Sequence, residues 1–189
     1  TNWNESQRVD AAFSVMDDLN LNGYRVELRW SDLQKRAYLG SDLDPADITP
    51  SMIDSILSDH IYWDMTKFTD LENILDNGFN RGLTPFMTIG VGHQDRMPVN
   101  ETGLRIAPAT DTWIPAAGYV GVSANEYLYN LKIYAHATVR RFSGDINVWQ
   151  PENELNAAGW AAALPDWWGK GDLWLDPNFR DQVWDSLVD

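Results

Sequence analysis

The sequence predicts an α/β fold with parallel strands. Three observations carry the prediction. Amphipathic helical stretches alternate with strand-like stretches, which is the pattern of βαβ crossovers. Long polar segments follow the strands. The run from Leu83 to Val91 is almost continuously apolar, as in a strand buried on both faces.

The first helix is expected from Asn4, a suitable N-cap, with Val9, Ala12, Phe13, Met16 and Leu19 at helical spacing and Asn22-Gly23 as its stop. Tyr24 to Trp30 then alternates Tyr24, Val26, Leu28 and Trp30 with Arg25, Glu27 and Arg29, the period of a half-buried strand. After an acidic stretch, Asp42 to Asp47, Thr49 and Pro50 open a short helix. A second cycle starts near Lys67. Phe68, Leu71, Ile74 and Leu75 form its apolar face, Asn77-Gly78 its end, and Leu83–Val91 its strand, with Pro85 tolerable near the beginning. The third cycle opens on the capping box Ser123-Ala124-Asn125-Glu126. Leu128, Leu131, Ala135, Val139 and Phe142 supply the helical stripe, Gly144 closes it, and Ile146 to Pro151 is the third strand.

Three parallel strands leave two unpaired edges and cannot close a barrel. A complete (β/α) barrel takes about 250 residues. Residues 1–189 are therefore expected to be one partial domain of something larger. No linker, short repeat or low-complexity tract divides them.

Composition narrows the function classes. The chain has 28 acidic and 14 basic side chains, a net charge of −14, which argues against a nucleic-acid partner. No apolar stretch approaches the roughly 20 residues of a membrane span. Cysteine is absent, so thiolate metal sites and cysteine nucleophiles are excluded. His60, His93 and His136 show no zinc-ligand spacing, and Asp166, Asp172 and Asp176 lack that of a calcium loop, so no metal is expected. Gly90-Val91-Gly92 lacks the third glycine of a dinucleotide fingerprint, and no cofactor is expected. Asn4 and Asn100 begin formal glycosylation sequons. Ten tryptophans stand out, several of them crowded into one segment, Trp160, Trp167, Trp168, Trp174 and Trp184. Flat aromatic faces suit sugar rings, and they equally suit a core.

Function in parallel sheets gathers beyond the carboxyl ends of strands. Those positions read Arg29-Trp30-Ser31-Asp32, Gly90-Val91-Gly92-His93-Gln94 and Trp149-Gln150-Pro151-Glu152-Asn153-Glu154. They offer a cation, an imidazole, and an amide beside a carboxylic acid. In this order and placement the chain resembles the clan A glycoside hydrolases, retaining barrel enzymes that include cellulases, xylanases, mannanases and xylosidases. Their fourth strand ends in Asn-Glu, often with Trp four residues before the Asn, as Trp149, Asn153 and Glu154 are spaced here.

The resemblance implies a partial (β/α)8 barrel comprising strands two to four, the N-terminal half of a β-glycosidase. It implies that Glu154 is the general acid/base and that Asn153 bonds the sugar 2-hydroxyl. Arg29 would order the nucleophile carboxylate and His93 would contact substrate. Trp160, Trp167 and Trp168 would stack on sugar, as in the aromatic loop of the xylosidase-like branch. The implied partner is an oligo- or polysaccharide and the implied compartment extracellular.

The nucleophile glutamate of strand seven has no counterpart after Glu154, so the rest of the barrel, from this or another chain, is expected to supply it. Simpler roles also exist for these residues. Glu154 is one of many acids, Arg29 has Glu27 two residues away, Trp30 and Trp149 suit packing, and Glu152 adds a second acid facing away from Asn153. A non-catalytic carbohydrate-binding or scaffold protein on a partial barrel is the alternative reading, and a barrel hydrolase or lyase with Glu154 as a lone base is a third.

Overall fold

A computed structural model describes residues 5–90, 97–109 and 117–150, with positions 178, 181, 182 and 185. The fold is mixed α/β with parallel strands in two small sheets, and the described strands form no closed barrel.

Helix α1 (Glu5–Asp18) leads into strand β1 (Gly23–Arg29). The expected Asn22-Gly23 stop is corrected. The helix ends at Asp18, and Asn20 takes the left-handed conformation at φ 56°, which asparagine tolerates better than most residues. Gly23 instead opens the strand. The proposed cap, Asn4, lies outside the described residues. Phe13 is the buried anchor of α1, edge-on to Tyr24 at 5.0 Å, whereas Leu19 is exposed.

The chain turns from β1 directly into the single-turn helix α2 (Trp30–Leu33), then through a 3-10 turn at Pro45–Asp47 into α3 (Pro50–Leu57). Helix α4 (Met65–Asn80) is capped by the Asp64 carboxylate, which accepts from the Thr66 and Lys67 amides. Whereas α1 stops short of its expected end, α4 outruns its own. Gly78 lies inside the helix, and the left-handed residue beyond the end is Gly82, at φ 72°.

Gly78 is there for contact rather than for a turn, because a Cβ on it would overlap the Tyr24 ring. Gly78→Ala is therefore expected to destabilise. The helix-propensity gain of about 1 kcal/mol is outweighed by overpacking of ~1–3 kcal/mol. A urea midpoint higher than wild type would contradict this.

Strand β2 (Thr84–Gly90) follows. Between it and the last helix lies a second sheet, β3 (Arg105–Pro108) with β4 (Tyr119–Val122), paired in parallel. Neither is predicted by the sequence, since four-residue strands among glycines and prolines show no usable alternation. Helix α5 (Ala124–Phe142) opens on the expected capping box, with Ser123 and Glu126 bonded reciprocally. It is buried well beyond a stripe, with Tyr127, Leu128, Leu131, Tyr134 and Phe142 all in the core.

Strand β5 is shorter than expected, Trp149–Gln150. The amides of Asp145 and Ile146 bond back to the Phe142 carbonyl, so Ile146 closes the helix rather than starting the strand. Pro151 lies outside the described residues.

The main sheet runs β1-β2-β5, all parallel. Registration of Tyr24, Val26 and Leu28 with Pro85, Met87 and Ile89 makes one apolar face, which meets Phe68 and Leu75 of α4 and the inner side of α5. The opposite face carries Arg25, Glu27 and Arg29 beside Phe86, Thr88 and Gly90.

The Tyr24 hydroxyl, buried beneath Gly78, has no hydrogen-bond partner among the described residues. Burial pushes its pKa up from 10.0 to about 12. The folded state thus holds this proton more tightly than the unfolded chain. The associated stability is complete below pH 10 and is lost as pH rises through the folded value near 12. Tyr24→Phe is expected to be near neutral at pH 7, because the hydroxyl it removes is unpaired. The variant should lose less stability than wild type between pH 9 and pH 11 (roughly the onset of tyrosine ionisation). Parallel alkaline profiles would refute this.

Candidate functional site

Because β1, β2 and β5 are parallel, their carboxyl ends share one edge of the sheet. Arg29 stands at that edge beside Gly90, as the register dictates, and its side chain is exposed. The chain leaves the same edge at Gln150, the last described residue before Asn153 and Glu154 in sequence. Asn153, Glu154, His93, Trp160, Trp167 and Trp168 all lie outside the described residues.

Arg29 and Glu27 line a groove of about 330 Å³ between β1 and α4, with Asp32, Lys67 and Asp70 at its rim and Leu71 and Ile74 on its apolar wall. Lys67 pairs with Asp70 at 3.3 Å, one turn apart on α4. The groove is a charged, open feature. Next to it, on the face opposite the helices, the Thr88 hydroxyl donates to Gln150 Oε1 at 3.3 Å. Thr88 is fully buried. This bond links β2 to β5 two residues before each described strand end on β2 and at the very end of β5.

Beneath Arg29 the neighbouring residue, Trp30, is fully buried. Its ring stacks on Tyr134 at 5.7 Å and meets Tyr127 edge-on at 5.6 Å. The indole N–H donates to Gln34 Oε1 at 2.6 Å, and Gln34 Nε2 donates to Asn130 Oδ1 at 2.7 Å. Asn130 Oδ1 also accepts from the Tyr38 amide, while Asn130 Nδ2 donates to the Tyr38 and Glu126 carbonyls, each at 2.7 Å. A wholly buried amide pair is thereby satisfied on almost every atom, the condition under which a buried polar network is favourable. It fastens the segment after β1 to α5.

Tyr38 itself stacks flat on Tyr62 at 4.0 Å and accepts from the Trp63 indole at 3.2 Å. Burial pushes its hydroxyl up to about 12, with Asp59 adding to the rise and the Trp63 bond opposing it. Burial, with Asp47, also raises Tyr129.

Of the candidate site residues, then, only Arg29 can be located, at the strand end expected of it. Trp30 and Trp149 are packing residues, as their simpler reading had it. Gln34, Asn130 and Thr88, the buried polar residues near this edge, are not among the residues the sequence singles out. Asn130 had a legible signal, an amide inside the most apolar stretch of its helix, while Gln34 and Thr88 had none. Among the described residues no three His, Cys, Asp or Glu side chains cluster to hold a metal, and no described helix is long and apolar enough to cross a membrane. No family model matches this sequence, and no curated protein matches it.

Proposed function

We propose that the chain forms part of a (β/α)8 barrel and carries the acid/base carboxyl of a retaining β-glycosidase. The observation that supports this is the common carboxyl edge. Arg29 ends one parallel strand, and the strand that runs into Asn153-Glu154 ends beside it, one strand removed. Glu154 follows Gln150 by four residues, a chain length of at most roughly 14 Å.

In this mechanism Glu154 protonates the glycosidic oxygen as the bond to the anomeric carbon breaks. As a carboxylate it then takes a proton from the water that releases the sugar. Asn153 bonds the 2-hydroxyl, a contact that strengthens as positive charge spreads over the ring. The nucleophile is a second carboxylate outside these 189 residues, and Arg29 holds it ionised and oriented. His93, Trp160, Trp167 and Trp168 supply sugar contacts. The face bearing Arg25, Glu27, Thr88 and Gln150 becomes the polar lining of the barrel. A polysaccharide substrate fits secretion of the protein.

The test is hydrolysis of β-linked oligosaccharides followed by proton NMR of the newly formed anomeric centre. Retention is expected. Inversion refutes the mechanism, and sugar binding without turnover selects the carbohydrate-binding alternative.

A further inference from the structure

The two residues flanking Arg29 are both held against α5, one by a hydrogen bond and the other by ring packing and a bridging glutamine. On one side the buried Tyr134 hydroxyl donates to the Leu28 carbonyl at 3.1 Å. On the other, Trp30 lies against Tyr134 and gives its indole proton to Gln34, which is bonded in turn to Asn130 of α5. Arg29 sits between them with extended backbone, φ −99° and ψ 126°, at the step where strand becomes helix. From α5 the chain runs through one tight turn into β5 and on toward Asn153 and Glu154.

We infer that Tyr134 and Gln34 are positioning residues, which use α5 to aim Arg29 at the carboxyl edge of the main sheet. The inference rests on the role given to Arg29 above. The chemistry is positional. A guanidinium on a strand end has several rotatable bonds, and only its Cα–Cβ direction is set by the backbone. Holding the Leu28 carbonyl on one side and the Trp30 ring on the other limits the backbone's share of that freedom. Because the fixing element is the helix that precedes β5, Arg29 and β5 share one frame. A core that needed only volume here would fill it with apolar side chains. Instead a tyrosine hydroxyl is buried against the Leu28 carbonyl, and a glutamine is buried against the Trp30 indole N–H.

Tyr134→Phe keeps the stacked ring and deletes the hydroxyl bonded to the Leu28 carbonyl, so a double-mutant cycle with Arg29→Ala isolates the effect on Arg29. In the active enzyme Tyr134→Phe is expected to lower kcat/KM for a β-glycoside about tenfold. In the Arg29→Ala background it is expected to change kcat/KM less than twofold. An equal loss in both backgrounds overturns the inference, since a merely structural role acts whether or not the guanidinium is present. Gln34→Met, similar in volume, should show the same dependence on Arg29 and serves if Tyr134→Phe does not fold.

The Nε–Hε resonance of Arg29 separates this inference from the glycosidase reading. If no β-glycoside is cleaved, that reading fails. A shift of the Arg29 resonance in Tyr134→Phe still supports positioning, and an unmoved Arg29 resonance beside a shifted Leu28 amide refutes it.

Discussion

Glu154→Ala is expected to lower kcat on natural β-glycans by about 10²- to 10⁴-fold, the span a positioned general acid/base contributes. The loss should depend on the leaving group. A sugar alcohol departs poorly without a proton, so the first step stalls. An activated aryl leaving group departs unaided, and the variant then accumulates glycosyl-enzyme, because no base remains to deprotonate the attacking water. Azide needs no deprotonation. It should restore turnover of activated substrates and yield the β-glycosyl azide, with configuration retained. Kinetics on a series of leaving groups, with and without azide, checks each step. Activity on natural glycans equal to wild type removes Glu154 from the mechanism.

The largest effect on stability is expected at Asn130. Asn130→Ala deletes four hydrogen bonds and strands the Tyr38 amide and carbonyl. Gln34 retains its bond to the Arg36 carbonyl at 3.1 Å, so part of the network survives. Each buried polar group left unsatisfied costs about 1–3 kcal/mol, and truncation adds a cavity, for a total near ~3–5 kcal/mol. By contrast, Arg140→Ala opens an ion pair with Asp54 that is about 59% exposed at both partners, so the cost is expected below about 1 kcal/mol. Urea titrations of both variants check the ranking. An Asn130→Ala loss no larger than that of Arg140→Ala would mean that the network adds nothing to the fold.

Much of the order of elements was legible because local rules suffice for it. The Ser123–Glu126 capping box and the Tyr24–Trp30 alternation depend on residues within one turn or one strand; the box formed as expected, and the strand runs Gly23–Arg29, with Trp30 passing into α2. The helix ends were less legible. Asn22-Gly23 and Asn77-Gly78 are sequence stops of the same kind, yet neither stops its helix. Gly78 lies inside its helix and marks a close contact instead, because Tyr24, distant in sequence, occupies the space where a side chain would be. Nothing within helical reach of Gly78 reports that tyrosine. Strands β3 and β4 escaped for a related reason. Each is four residues long and held by its pairing rather than by its own pattern.

For the site, the sequence alone determined which chemistry is on offer: an arginine closing one strand, an Asn-Glu pair following another, no cysteine, and a surplus of acid. Composition and spacing are properties of the chain itself, so they need no fold to be read. Only the tertiary structure decided that β1 and β5 both flank β2 in parallel, which brings Arg29 and Gln150 to one edge, and that Gln34 and Asn130 meet under Trp30. The Gln34–Asn130 contact joins residues 96 apart in sequence. Register and long-range pairing come from burying many side chains together, and no local pattern encodes them.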